Sequence, residues 1–147
     1  MRSLIALCLL APCLAAQDAQ RVRFRVTLSK DTVTVGEPFD IRVRIQASPK
    51  ARIVFPVNPD TAGTIQARDP RTLAVFDSVN ARDDMASYHV AAWDVGAQRV
   101  RLAEAIVSWP GTGLAQRRVA LDTISIWVQT VLPPDSASRV PRPPRPL

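Results

Sequence analysis

Catalysis in a chain of 147 residues would need a nucleophile beside a base, a set of metal ligands or paired carboxylates, and few side chains here can supply them. The single histidine is His89, and the two cysteines are Cys8 and Cys13. His89 lies in SYHVAAW, where alternation places it on a strand in phase with Ala91 and Trp93. A nucleophile needs a base, and the base an orienting carboxylate, which the neighbouring sequence does not provide. We read it as a strand residue. One histidine and scattered carboxylates leave the usual zinc and copper sets unfilled. Asp83 and Asp84 could join a calcium site, but no Asp-rich loop with a central glycine surrounds them, so they read as solvated turn residues. No glycine-rich phosphate cradle occurs, and spacing nominates no carboxylate pair for glycoside cleavage. No catalytic, metal-binding or cofactor-binding residue is nominated, and an enzyme is not expected. Trp127 is the remaining candidate for contact. It alternates out of phase with Ile124, Ile126 and Val128, so it points outward, where a tryptophan can bind carbohydrate or simply cover an edge.

The elements that would position these residues are strands. Val22, Phe24, Val26 and Leu28 alternate with Arg23, Arg25 and Thr27. After a short strand at Thr32 to Val35 and the Gly36-Glu37-Pro38 turn, Phe39, Ile41, Val43, Ile45 and Ala47 alternate with Asp40, Arg42, Arg44 and Gln46. A one-residue slip there would bury arginines, so the register is specified. The stretch from Ser87 to Trp109 reads as a central hairpin that turns at Asp94-Val95-Gly96-Ala97. Gly96 there takes positive φ, and Trp93 and Trp109 are expected in the core. Two strands change phase, one near Ala103-Glu104 and the other across Asp122-Thr123, as bulges would make them. Ile53 to Phe76 carries Pro56, Pro59 and Pro70 and is expected at a sheet edge. Weaker strands there, Thr64 to Ala67 and Thr72 to Phe76, flank an Asp69-Pro70 turn, and Asp77 to Asp84 reads as a polar connection. The expected fold is an all-β, immunoglobulin-like sandwich of seven to eight strands over residues 21–131, with a small closed barrel as the alternative.

Residues 1–16 (MRSLIALCLLAPCLAA) read as a signal peptide, with Arg2 before an apolar run and Ala15 and Ala16 at the cleavage site. Pro12 before Cys13 argues against lipid modification. Cleavage would remove both cysteines, so the exported domain would rely on its core alone. No further stretch approaches the ~20 apolar residues of a membrane helix. The formal charge is +6, carried almost wholly by arginine. The arginines are spread along strands and read as solvated faces, and export argues against nucleic acid as a partner. Residues 132–147 (LPPDSASRVPRPPRPL) form a Pro/Arg-rich, extended tail that serves as a linker. Pro141-Arg142-Pro143-Pro144 matches a PxxP ligand only in form.

Three stretches, VTVGEPFDIRVRI (Val33 to Ile45), YHVAAWDVGAQRVRL (Tyr88 to Leu102) and ISIWVQTVLPPDS (Ile124 to Ser136), resemble the N-terminal extracytoplasmic region of BatD-like proteins, the oxygen tolerance family. The shared pattern is a Gly-Glu turn entering an alternating strand, an aromatic-led strand ending in a turn glycine, and a closing strand before Leu-Pro-Pro-Asp. The resemblance implies a non-catalytic scaffold domain of the bacterial cell envelope, in the periplasm or otherwise outside the cytoplasm. It also implies envelope-protein partners, including von Willebrand A-type proteins, and in the family such a tail leads to a membrane helix. The alternative function is a secreted module that binds carbohydrate or a surface polymer.

Overall fold

The alternation in the Phe39 strand produces the longest pairing in the molecule. The structure, a computed structural model, describes residues 21–111 and 115–132. The proposed signal peptide and the tail from residue 133 onward lie outside the described residues. Eleven strands are present among the described residues: β1 (Arg23–Leu28), β2 (Thr32–Thr34), β3 (Pro38–Ala47), β4 (Arg52–Val54), β5 (Ile65–Ala67), β6 (Thr72–Val75), β7 (Arg82–Ala92), β8 (Gly96–Val100), β9 (Ala105–Ser108), β10 (Gln116–Val119) and β11 (Ile124–Gln129).

Strand β3 pairs antiparallel with β7 along its whole length, and β1 lies on the other side of β3. The far edge of β7 is shared by β5 and β6, placed end to end. This gives a five-stranded sheet in the order β1-β3-β7-β5, with β6 beyond β5 along the same edge. Ile41, Val43 and Ile45 of β3 and Ala86 and Val90 of β7 are wholly buried on its inner face. Asp40, Arg42, Arg44 and Gln46 share the outer face.

The second layer is a long, interrupted hairpin. Val100 faces Ile124 and Ala105 faces Val119, so β8-β9 and β10-β11 keep one register through the gap at residues 101–104 and 120–123. The two phase changes seen in the sequence therefore stand opposite each other. Both strands exchange their inward face at the same level, which keeps Val100, Val107, Val119 and Ile126 buried together. Strand β2 adds to β11 in parallel and β4 adds antiparallel to β9, so the layer is split into two three-stranded sheets. One apolar cluster draws on all three sheets.

Three expectations need correction. Ser87 to Trp109 is not a hairpin: both edges of β7 are already filled, by β3 and by β5 and β6, so the chain crosses to the other layer and β8 pairs with β11. Gly96 does take positive φ at that crossing (103°). The strands number eleven rather than seven or eight, because prolines and phase changes divide the edges into short pieces. Trp93 is half exposed and outside the core, because its parity is that of the outer face of β7. Trp109 is buried, and its indole N–H donates to Ser48 Oγ at 2.7 Å.

Candidate interaction surfaces

Loop and turn residues fix the surfaces around this frame. At the β2–β3 turn Gly36 adopts φ 75°, and the Trp93 ring lies where a β-carbon would stand, 2.8 Å from that position. The Glu37 carboxylate accepts bonds from Lys30 Nζ and from Thr34 N and Oγ1. The ammonium and the two Thr34 donors together hold it down at about 2. Asp60 is buried, and its carboxylate accepts bonds from Ala62 N, Thr64 Oγ1 and Ile65 N at 2.9–3.0 Å. It thereby shapes the loop leading into β5. Sequence reading missed it, although Asn58-Pro59-Asp60 followed by Thr64 is a pattern of side-chain-to-backbone turns.

Asp83 and Asp84 are buried strand residues, not solvated turn residues. Asp83 Oδ1 and Oδ2 accept from Arg44 Nε and Nη2, each at 2.8 Å, and Oδ2 also accepts from Gln46 Nε2 at 2.7 Å. This bidentate guanidinium holds the Asp83 carboxyl below its ordinary value, with Gln46 assisting against the opposing effect of burial. Asp84 pairs with Arg82, which also reaches Asp77. The two aspartates point to opposite faces of β7, and among the described residues no group of three or more potential ligands could hold a metal.

Across the sheet, His89 meets the carboxylate that the local sequence lacked: Nδ1 lies 2.9 Å from Asp40 Oδ1, its register partner on β3. The pair is partly exposed on an open face near Ser87, Thr72 and Asp69. Among the described residues no hydroxyl is bonded to the imidazole, and the site is open. Nucleophilic catalysis would need an activated hydroxyl or thiol beside such a pair. The described residues therefore hold no catalytic constellation.

Two surfaces bear on the binding readings made from the sequence. At the β5–β6 edge, Leu73, Val75 and Phe76 are exposed, with Leu73 at 59%. Leu73 lines an open groove of about 670 Å³ together with Val57, Ala67 and Arg71. Buried Arg71 Nε has no hydrogen-bond partner among the described residues. Phe76 N–H donates to Asp83 O, which fixes the phase of the ladder. By alternation, the backbone groups of Leu73 and Val75 then point away from β7, toward the free edge. This lies within the proline-marked region that the sequence assigned to an edge. On the other layer, Trp127 is 52% exposed on β11 between small register partners, Ala97 and Thr32, which leave its ring open.

No family model matches the chain, and no curated protein matches it. Among solved structures, the BIgI domain of beta protein from S. agalactiae, in a structure bound to CEACAM1, is similar over 74% of this chain and 98% of that one. The identity is 16% and the TM-score 0.36. A score that low does not establish a common fold. Among the described residues, no helix is long and apolar enough to cross a membrane.

Proposed function

We propose that the chain is an exported, non-catalytic, immunoglobulin-like binding module of the bacterial cell envelope, BatD-like in its role, and that other envelope proteins dock on its β5–β6 edge. The observation that carries this reading is the edge itself. It combines, among the described residues, outward-pointing backbone groups at Leu73 and Val75 with exposed apolar side chains beside an open groove. An extended segment of a partner would satisfy both by adding a strand. Cleavage after Ala16 would release the module, and residues 132–147 would act as a spacer to whatever follows or anchors it. By the family resemblance, von Willebrand A-type proteins are the partners to look for.

Photo-crosslinkers at Thr64, Leu73 and Arg142 in cells test the reading. Protein adducts are expected from the first two positions. Adducts from Arg142 alone would overturn it. A second reading, binding of carbohydrate or surface polymer, has one observation in its favour, the open Trp127 ring. Glycan binding lost in Trp127→Ala would support that reading.

A further inference from the structure

The opposite edge of the same sheet carries a different chemistry. Among the described residues, strand β1 is an edge of six residues without proline. Its outer face presents Arg23 and Arg25, and Arg25 lies directly across from Arg44, with Arg42 diagonal to it. Like charges in register repel. Asp83 occupies Arg44, and Arg42 has only a 3.6 Å contact with Asp40. Arg23 and Arg25 have no ion pair among the described residues. The inner face is also incomplete. Phe24, Val26 and Leu28 face Ile45, Val43 and Ile41, which are wholly buried, yet Phe24 remains 37% exposed and the other two are half-buried. Among the described residues, the apolar layer stops one strand short of being covered.

The ladder phase connects these observations. Ser29 N–H donates to Asp40 O, so the backbone groups of Leu28, Val26 and Phe24 point to the free edge. An antiparallel strand added there would place its hydrogen-bonded residues opposite those apolar side chains. Its intervening residues would stand opposite Arg23, Arg25 and Thr27, in the pairs whose side chains approach most closely. We infer that the β1 edge binds an extended segment of a protein partner in which apolar and acidic residues alternate, acidic toward Arg23 and Arg25 and apolar toward Phe24 and Val26. An anionic polymer lying on the outer face would meet the arginines but leave Phe24 bare, so the polypeptide strand fits both observations better. This site is distinct from the β5–β6 edge, so failure of either leaves the other standing.

The probe is a fluorescent peptide of alternating Glu and Val, long enough to span β1, titrated against the full chain. Binding should weaken with salt and fall at least about tenfold in Arg23→Glu/Arg25→Glu, as rim ion pairs turned repulsive would require. An unchanged urea midpoint would show that this outer-face variant remains folded, and Arg23→Gln/Arg25→Gln should give an intermediate loss. N-methylation of the peptide at its valines should abolish binding, because those amides face β1, whereas methylation at its glutamates should not. Equal binding of the valine-methylated peptide would make the arginines a general polyanion site and overturn the inference. No effect of the charge reversal would reduce them to guards against edge aggregation and overturn it equally.

Discussion

At the residue scale, a few side chains impose conformations that the backbone would not take unaided. Gly36 and Gly63 both have φ 75°, but only Gly36 has a neighbour, the Trp93 ring, in the space a β-carbon would fill. Alanine at either position pays the left-handed strain of about 1–2 kcal/mol. At Gly36 it must also displace Trp93, whose indole N–H is bonded to Gln66 Oε1 at 3.0 Å. Gly36→Ala should therefore lower stability more than Gly63→Ala in urea unfolding and, unlike it, shift tryptophan emission. Equal costs and unchanged emission would show that the ring does not brace this turn. Glu37, clamped by Lys30 and Thr34, explains why the glycine is followed by an acid.

At the element scale, β3 is the spine of its sheet, and its two faces differ in what they contribute. Ile41 is completely buried on the inner face of the sheet, whereas the Arg42 side chain is about half exposed and makes only a long contact with Asp40. Truncating Ile41 to Ala should cost about 2–5 kcal/mol, and Arg42→Ala about 0.5 kcal/mol or less. Comparable losses in urea unfolding would contradict the assigned faces. Arg44 is not equivalent to Arg42, although alternation puts them side by side. Its bidentate bond to a nearly buried Asp83, and its position 5.1 Å from the Phe76 ring centroid, tie three strands of the sheet together.

At the scale of the whole molecule, directional bonds link the two layers across the core. Tyr88 on β7 donates its hydroxyl to Pro56 O, beyond β4, at 2.8 Å. Trp109 of the second layer reaches Ser48 beyond the end of β3. Burial pushes the Tyr88 phenol up to about 12, from 10.0. A raised value means that the folded state holds the proton more tightly. The resulting stabilisation is complete below pH 10 and is lost as pH rises through about 12. Tyr88→Phe should cost about 1–2 kcal/mol at neutral pH, because the Pro56 carbonyl loses its donor. It should also flatten the decline in stability between pH 10 and 12. A variant with the wild-type alkaline slope would show that another group causes that decline.

Alternation by itself determined which side chains of β3, β8 and β11 face inward, because side chains on a strand have a period of two and burying arginine is costly. The positive φ at Gly96, the outward Trp127, the proline-marked edge and the two phase changes were legible for the same local reasons. Pairing was not, because it depends on which edges remain free once the other strands are in place. Hydropathy in Ser87 to Trp109 allows a hairpin. Only the occupation of β7 by β3 on one side and by β5 and β6 on the other sends β8 to β11. The same holds for the polar contacts. Asp40 and His89, or Arg44 and Asp83, are separated by about forty residues or more and meet only through register. The arginines looked scattered along the chain, and it was the pairing of β1 with β3 that gathered four of them on one face.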